Sequence, residues 1–268
     1  MPASDANSSA PAALPPAPLW SRLRSGLIYA PGYGLATAAY GLASMACSRF
    51  DASGKRQHRI AQAWARMLLR IASTRVTVTG LDHLADAAQG GAAARCVMVC
   101  NHISYMDVPV LFARLPLQFR ILARKGLFRI PFMGSHLRRC QHLPVDQSNP
   151  RASLVSLKQA AASVAAGLPL FIFPEAGRSF SGEMRPFVPG AFYIAIQAQV
   201  PVVPMVLVGT WEILPPSTAH LRPGRVELVI LPPVPTAGLT RADAPALAQR
   251  IFDQMQPLYR ERRARLLA

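Results

Sequence analysis

The sequence predicts an α/β fold in which a mostly parallel, buried central sheet is flanked by helices. From residue 75 onward, short and almost uninterrupted apolar runs alternate with longer helical patterns. Strands buried on both faces have such continuous apolar runs, and parallel neighbours are joined by crossover connections that are usually helical. The 268 residues are 51% hydrophobic, which is enough for a sizeable core. We divide the chain into a tail at 1–18, a helical segment at 19–73 and an α/β domain at 74–268.

The elements follow in order along the chain. Residues 1–18 are rich in Pro, Ala and Ser, and we expect a flexible tail there. The strands are predicted at 75–80, 96–100, 119–123, 168–174, 200–209 and 225–234. The helices of the α/β domain are predicted at 107–114, 151–166, 187–198 and 240–266. Binding and catalytic sites of such folds gather beyond the carboxyl ends of the strands, so we look for a site there.

The charge balance narrows the class of partner. The formal net charge is +16, and lysine contributes only Lys55, Lys125 and Lys158. Such a surplus indicates an anionic partner, either nucleic acid or an anionic membrane surface. No nucleic-acid motif is present and aromatic residues make up only 7% of the chain, so we expect no nucleic acid. The four cysteines lack paired spacing, which indicates reduced thiols and a cytosolic environment.

The segment at 19–73 is predicted to associate with a membrane. Residues 25–48 carry no charge and are long enough to cross a bilayer, which takes about 20 apolar residues. Pro31, Gly32 and Gly34 leave a kinked or re-entrant path equally open. A signal peptide fits less well, because a Pro-rich tail precedes the basic residues.

Residues 55–73 have the pattern of a basic amphipathic helix. Arginines flank the apolar stripe of this helix on one side, and such helices lie in membrane interfaces. The alternative is an ordinary helix that packs its stripe on the core. The apolar stripe consists of Ile60, Trp64, Met67, Leu68 and Ile71, and the arginines are Arg56, Arg59, Arg66 and Arg70.

A polar cluster follows the strand at 96–100. His102 and Asp107 would lie about 140° apart on a continuous helix, so the chain must bend for them to meet. We expect His102 in a loop and Asp107 in the first helical turn, with Ser104 capping the helix. A carboxylate beside an imidazole fixes the tautomer and supports the protonated ring, which suits a general base with its orienting residue. The alternative is a capping aspartate beside a hydrogen-bonded loop histidine.

A second polar cluster follows the strand at 168–174. Glu175 and Arg178 lie in the loop, and Gly177 and Gly182 would allow the backbone to approach a ligand. An arginine with exposed loop amides is suited to binding phosphate. The alternative is a surface turn with solvated charges.

Together, NHISYMD and FPEAGRS resemble the sequence blocks of the glycerolipid acyltransferase family, the enzymes that make phosphatidic acid from lysophosphatidic acid. Asn101, His102 and Asp107 match the family's NHxxxxD block. The four family blocks occur in the family's order, at 101–107, 124–134, 173–179 and 200–209. Two departures concern the acceptor: Ala176-Gly177 stands in place of Gly-Thr, and Gln147 stands where the family often has arginine.

The resemblance implies a glycerol-phosphate acyltransferase-like fold, with 74–268 as the catalytic domain and His102 and Asp107 as its catalytic pair. Arg178 and Lys125 would hold the acceptor's phosphate, and Glu175 would bind glycerol hydroxyls or position Arg178. Asn101, Gly177 and Ser179 complete the matched substrate-binding positions. Cys100 is interpreted as a packed strand residue.

The same resemblance implies acyl transfer from acyl-CoA or acyl carrier protein to 1-acylglycerol-3-phosphate, with no cofactor beyond this donor and no metal. The partners are a lysophospholipid acceptor and an anionic phospholipid membrane, with the chain on the cytoplasmic face of the inner membrane. Two alternatives remain open. One is acylation of lyso-ornithine lipid or another lysophospholipid, and the other is a non-catalytic basic lipid-binding protein.

Overall fold

The computed structural model describes residues 17–47, 50–51, 53–85, 95–130, 133–146, 150–216 and 218–268. All of the predicted tail except 17–18 lies outside these ranges, and so does Gln147.

The described part of the chain begins with a helical hairpin. Helix α1 (Leu19–Arg24) continues through a π-helical turn (Ser25–Tyr29) into helix α2 (Ala30–Cys47). Helix α3 (Lys55–Ile71) returns beside it, and the two helices approach closely where Gly32 faces Ile71. A Cβ atom at Gly32 would lie 3.3 Å from Ile71 Cγ2, so the absence of a side chain permits this approach.

In the described ranges, seven strands form the central sheet, in the order β1-β7-β6-β2-β5-β3-β4. All paired neighbours are parallel except β6 and β7, which are antiparallel. The prediction of a mostly parallel α/β sheet is therefore confirmed. The strands are β1 (Thr74–Thr79), β2 (Val97–Cys100), β3 (Arg120–Arg124), β4 (Leu143–Val145), β5 (Leu170–Ile172), β6 (Val202–Val208) and β7 (Gly224–Ile230).

Helices cover both faces of this sheet. They are α4 (Asp107–Arg114), α5 (Met133–Arg139), α6 (Pro150–Ala165), α7 (Gly190–Ala198), α8 (Thr210–Ile213) and α9 (Ala244–Leu267). Alternate residues of β2 serve two cores, because successive side chains of a strand point to opposite faces. Val97 and Val99 pack with α6, α7 and α9, whereas Met98 and Cys100 pack with α3 and α4. The sheet is therefore buried on both sides, and its strand ends are the accessible places for a site.

Two sequence-based predictions need correction here. Strand β4 was not expected, because Leu143–Val145 contains only three residues and a proline. The apolar stripe of α3 does not form a free surface: Leu68 is buried, and Ile71 and Trp64 pack against the same core cluster. Trp64 Nε1 also donates to Thr37 Oγ1 of α2 at 3.1 Å. The packed-helix alternative is therefore correct for α3.

The hairpin buries small and polar side chains and exposes apolar ones. Its buried positions include Ser21, Ser25, Ala36 and Ser44. Ser25 Oγ accepts the backbone N–H of Leu221 at 2.9 Å, which fixes the hairpin to the α/β domain. The large exposed apolar side chains on the opposite face are Leu19, Trp20, Leu23, Leu27, Ile28, Leu35 and Leu42. In the described part of the chain, no helix combines the length and the apolar character needed to cross a bilayer.

Candidate active site

The polar clusters predicted from the sequence meet at one edge of the sheet. His102 follows β2, Glu175 and Arg178 follow β5, and Thr210 follows β6. Since β2 pairs with β5 on one side and β6 on the other, all in parallel, their carboxyl ends lie side by side. The loops after these three strands thus build a shared site at the place where α/β folds bind ligands.

His102 and Asp107 are hydrogen-bonded across the expected bend. His102 Nδ1 lies 2.8 Å from Asp107 Oδ2, and Asp107 is fully buried at the first position of α4. Oδ2 also accepts the backbone N–H groups of Ile103 and Ser104, at 2.8 and 2.9 Å. One carboxylate oxygen therefore shapes the bend and orients the imidazole.

The expected side-chain cap of α4 is absent. Ser104 does not cap α4, because Met106 occupies the N-cap position and no side chain bonds there. Instead, Ser104 Oγ accepts the Met106 N–H at 2.9 Å and donates to Leu214 O at 2.6 Å. Ser104 thus stabilises the tight turn before the helix and ties it to the segment after α8.

The geometry of the pair determines which ring nitrogen can act as a base. A carboxylate only accepts hydrogen bonds, so the Nδ1 atom of a neutral His102 carries the hydrogen and Nε2 carries the lone pair. Nε2 has no hydrogen-bond partner among the described residues, and 11% of the side chain of His102 remains exposed. This arrangement suits Nε2 for accepting a proton from a bound hydroxyl.

Two further residues fix the pair, and sequence reasoning missed both. Thr210 Oγ1 donates to Asp107 Oδ1 at 2.6 Å. The ring of Phe173 stacks on the imidazole of His102, with centroids 3.8 Å apart and an interplanar angle of 14°. Thr210 directly follows the fourth family block and Phe173 begins the third, so their positions beside the blocks were the available signal.

Glu175 connects the two loops through its carboxylate. Oε1 accepts the backbone N–H of His102 at 2.7 Å, and Oε2 accepts that of Arg185 at 2.9 Å. Burial raises the pKa of Glu175 to about 8, while the two backbone N–H groups oppose that rise. Both oxygens face protein donors, so Glu175 holds the backbone at His102 rather than the side chain of Arg178.

Arg178 is held beside the histidine loop with part of its guanidinium free. Nε donates to Ser104 O at 3.2 Å, and Cζ lies 4.4 Å from the ring centroid of Tyr105. The two terminal nitrogens make no hydrogen bond or ion pair within the described ranges. An arginine fixed through Nε and an aromatic face presents its remaining donors in a defined direction, as bidentate binding of an oxyanion requires.

Two predicted substrate-binding residues have structural roles instead. Asn101 is fully buried, and its side-chain amide exchanges two hydrogen bonds with the backbone of Leu207, at 2.8 and 2.9 Å. Ser179 is also fully buried, donates its N–H to His102 O at 2.9 Å and shares its hydroxyl with Ser181. Neither side chain retains an exposed polar atom with which to contact a substrate.

The remaining predicted residues are placed as follows. Lys125 Nζ lies 2.8 Å from Asp146 Oδ2, so its charge is already paired. Gly177 lies against two arginines: a Cβ atom there would be 3.3 Å from Arg185 Nη1 and 3.4 Å from Arg124 Nη2. Both arginines were missed in the sequence. Arg124 stands next to Lys125, which was chosen as the cation of that block, and Arg185 lies outside the four family blocks.

Gly182 was expected to admit a ligand, and this prediction is wrong. Its φ is +75°, and a Cβ atom would lie 2.9 Å from Trp211 and 3.0 Å from Arg263. Arg263 Nη1 and the hydroxyl of Tyr259 both donate to Gly182 O. The absence of a side chain at Gly182 therefore admits the protein's own α8 and α9.

The buried thiols do not supply a nucleophile at the site. Cys100 is fully buried in β2, as the sequence predicted. Burial raises the pKa of its thiol, and the nearby carboxylates of Asp107 and Glu175 raise it further. A thiol that resists ionisation is a poor nucleophile.

A cluster of metal-ligating residue types lies elsewhere, although the sequence had indicated none. The ligand atoms of His136, Cys140 and His142 lie within 4.8 Å of one another. The backbone N–H of Ile121 donates to His142 Nδ1 at 3.0 Å, so the other nitrogen of the neutral ring carries the hydrogen. His142 therefore offers no free lone pair to a cation, and burial raises the pKa of Cys140 to about 12.

Comparison with known proteins defines the family. The family model described as Acyltransferase matches residues 75–208, which is half of the chain and includes His102, Asp107, Glu175 and Arg178. The chain belongs to the acyltransferase family. The matched range ends at the last residue of β6. Arg185 therefore lies inside the matched range, and Thr210 lies outside it.

Curated members of the family are similar to this chain. A 1-acyl-sn-glycerol-3-phosphate acyltransferase of Cocos nucifera is 32% identical over 172 residues, covering 64% of this chain and 53% of the relative. The chloroplastic enzyme BAT2 of Brassica napus is 33% identical over 181 residues, covering 67% and 51%. The alpha enzyme of Homo sapiens is 31% identical over 166 residues, covering 62% and 59%. The chain thus spans about half the length of the curated relatives it matches.

A solved acyltransferase structure has the same fold. It is the crystal structure of the 1-acyl-sn-glycerophosphate (LPA) acyltransferase PlsC from Thermotoga maritima. The TM-score is 0.75 at 22% sequence identity, and the match covers 91% of this chain and 98% of the other. At this identity the likeness concerns the fold alone.

Proposed function

We propose that this chain transfers a fatty acyl group from an acyl thioester to the sn-2 hydroxyl of 1-acylglycerol-3-phosphate, which forms phosphatidic acid. The observation that carries the proposal is the hydrogen bond from His102 Nδ1 to the buried Asp107, which leaves Nε2 as a base on the loop to which Arg178 is hydrogen-bonded. The names of the curated relatives support the choice of acceptor.

In the proposed reaction, His102 Nε2 accepts the proton of the acceptor hydroxyl as its oxygen attacks the thioester carbonyl. Asp107 stabilises the imidazolium that forms, because its carboxylate accepts the Nδ1 hydrogen throughout. The tetrahedral intermediate then expels the thiolate, and Nε2 gives the proton to that leaving group. General-base assistance of this kind contributes about 10²–10⁴-fold to the rate.

Arg178 is the proposed anchor for the phosphate of the acceptor. Its Nε bond to Ser104 O places the guanidinium on the same loop as the catalytic pair. Acyl-CoA and acyl carrier protein are both suitable donors in this scheme, and no cofactor takes part.

We further propose that the enzyme docks on an anionic membrane at the cytoplasmic face. The exposed apolar face of the hairpin supports this, because it includes large side chains such as Trp20, Leu27 and Leu35. Arg59, Arg66 and Arg70 are exposed on α3 and would meet lipid phosphates. The side chains of α3 that pack against α2, such as Trp64 and Ile71, are not part of this membrane-docking surface.

A panel of acceptors tests the proposed reaction. The purified chain is assayed with lysophosphatidic acid, lysophosphatidylglycerol and lyso-ornithine lipid, each with acyl-CoA and with acyl carrier protein as donor. We expect the largest kcat/KM for lysophosphatidic acid. A larger kcat/KM for lyso-ornithine lipid would make that lipid the acceptor in place of lysophosphatidic acid. An absence of transfer to all three would indicate a lipid-binding protein without catalysis.

A further inference from the structure

Two arginine side chains reach the short turn at Gly177, and a third arginine follows this turn in the chain. Arg124 extends from the end of β3, whereas Arg178 and Arg185 belong to the loop after β5. A Cβ atom at Gly177 would lie in tight contact with Arg185 Nη1 and Arg124 Nη2, at 3.3 and 3.4 Å. Two guanidinium groups therefore reach the same peptide unit, and the third follows it directly in the chain.

Carboxylates lie near this cluster but form no ion pair with its guanidinium groups among the described residues: the charge of Arg185 opposes the rise in the pKa of Glu175, and Asp107 raises the pKa of Arg178. Glu175 uses both oxygens for backbone N–H groups, and Asp107 is occupied by His102 and Thr210. Arg124 Nη2 donates to a backbone carbonyl, that of Ala176, at 2.8 Å.

Arg185 is the least engaged of the three arginines. Its guanidinium makes no hydrogen bond or ion pair with any residue that the structure describes, whereas Lys125 is paired with Asp146. Burial lowers the pKa of Arg178 and the nearby Arg124 lowers it further, while Asp107 acts in the opposite direction. Like charges held this close repel, and a bound anion would relieve that repulsion.

We propose that Arg124 and Arg185 complete, together with Arg178, a site for a phosphate dianion, and that its ligand is the phosphomonoester of the acceptor. This rests on the proposed function and adds two residues that determine its specificity. Three guanidinium groups supply more donors than a singly charged phosphodiester can use, so the cluster favours a phosphomonoester.

The position of the cluster favours the acceptor over the donor as the source of phosphate. The loop that carries Arg178 and Arg185 is hydrogen-bonded directly to the backbone of the base, because Ser179 N donates to His102 O and His102 N donates to Glu175. In the acceptor, two carbons and one ester oxygen separate the attacking oxygen from phosphorus. The phosphates of acyl-CoA lie at the far end of a long pantetheine arm.

The test compares Arg185→Gln and Arg124→Gln with Arg250→Gln, a control at an exposed position of α9. Kinetics are measured in detergent micelles, so that membrane docking does not enter. For each of the two site variants we expect KM for lysophosphatidic acid to rise about tenfold, with kcat and KM for acyl-CoA unchanged. Arg185→Lys keeps the charge without the planar fork and should give a smaller rise.

A second measurement does not depend on activity. Binding of inorganic phosphate to the purified chain is measured by calorimetry at about pH 7.5, where phosphate is mostly a dianion. We expect affinity to fall about tenfold in Arg185→Gln and to stay unchanged in Arg250→Gln. Equal phosphate affinity in all variants would overturn the site, even in a preparation that acylates no lysophosphatidic acid.

The remaining outcomes separate the possible sources of phosphate. A rise in KM for acyl-CoA alone, with no change when acyl carrier protein is the donor, would assign the arginines to the donor and overturn the acceptor proposal. Weaker phosphate binding in a chain that prefers lyso-ornithine lipid would refute the proposed acceptor and leave the anion site standing.

Discussion

Thr210 Oγ1 lies 2.6 Å from Asp107 Oδ1, while the other oxygen of the same carboxylate faces His102 Nδ1. Both residues are fully buried, and each begins the helix that follows one of two neighbouring strands, β2 and β6. A carboxylate that is held from both sides cannot rotate away from the imidazole. The hydroxyl of Thr210 therefore takes part in setting the orientation of the base.

Replacing Thr210 with Val should lower both activity and stability. The change leaves Oδ1 of the buried Asp107 without a donor, which costs about 1–3 kcal/mol in the free energy of unfolding. We expect kcat to fall about tenfold with little change in KM, because the orientation of the ring and not substrate binding is affected. Thr210→Ser keeps the hydroxyl and is the control. Equal kcat values for the Val and Ser variants would show that the hydroxyl does not orient the pair.

Replacing Ala176 with Gly should cause no loss of stability and is expected to cause a gain. Ala176 has φ +56°, a conformation that costs a residue with a Cβ atom about 1–2 kcal/mol. Glycine removes this strain but adds about 0.4–1 kcal/mol of entropy to the unfolded chain. We expect a net gain of about 0–1.6 kcal/mol by denaturant unfolding.

The control for Ala176 is Ala63, in the interior of α3. Ala63→Gly should lose about 1 kcal/mol, the usual cost of glycine in a helix. If both variants lose stability to the same extent, the backbone at Ala176 is not strained.

The comparison of sequence and structure shows which physical signals suffice. Apolar runs predicted six strands because a strand buried on both faces must be apolar throughout, and the helix at 107–114 was predicted with its observed bounds. Strand β4 was missed because a short edge strand has too few side chains for a pattern. The apolar stripe of α3 was predicted to face lipid. Periodicity alone cannot distinguish a stripe that faces lipid from one that packs against another helix such as α2.

The candidate site likewise contains features that the sequence predicts and features that only the folded chain reveals. The bend between His102 and Asp107 followed from helix geometry, whereas Thr210, Phe173 and Arg185 come together only through strand pairing and loop packing. A single sequence carries no signal for such contacts. The structural roles of Asn101 and Ser179 were missed for a related reason: whether a polar side chain faces a substrate or a backbone depends on burial, which the sequence does not give.

Buried neutral histidines should make the fold sensitive to acid. Burial, with the charge of Arg120, lowers the pKa of His58 to about 4, and burial lowers that of His142 to about 3. Both rings gain a proton on unfolding below about pH 6.5, so their contribution to stability is present above that pH and is lost as the pH falls through about 4 for His58 and about 3 for His142. Each contributes a slope of up to about 1.4 kcal/mol per pH unit.

The acid sensitivity is measured as the free energy of unfolding from pH 4.5 to 8, for the wild type and for His58→Gln. Glutamine can still donate to Leu117 O, the partner of His58. Glu175 acts with opposite sign, since its pKa is raised to about 8 and its contribution is lost as the pH rises. The difference between the two proteins cancels that contribution. Parallel pH profiles would refute the role of His58.

The exposed face of the hairpin should hold the chain on vesicles at high salt. Burying a leucine side chain contributes about 1.5–3 kcal/mol, and apolar burial is insensitive to ions, whereas surface attraction is screened at about 1 M salt. We expect the wild type to sediment with anionic vesicles at that salt concentration and the double variant Leu23→Gln/Leu27→Gln to be released. Leu267→Gln, which is equally exposed at the end of α9, is the control. Release of the wild type would show that charge alone binds it.

The most direct test of the central claim is acyl transfer by His102→Ala, by Asp107→Asn and by the double variant. Asp253→Asn on α9 serves as a control, and circular dichroism confirms folding. If His102 is the base and Asp107 orients it, each single change should lower kcat by about 10²–10⁴. The double variant should then lose much less than the product of the two factors, because the residues act as a unit. A folded His102→Ala enzyme with near-normal turnover would contradict the account and leave Asp107 as a residue that only shapes the bend.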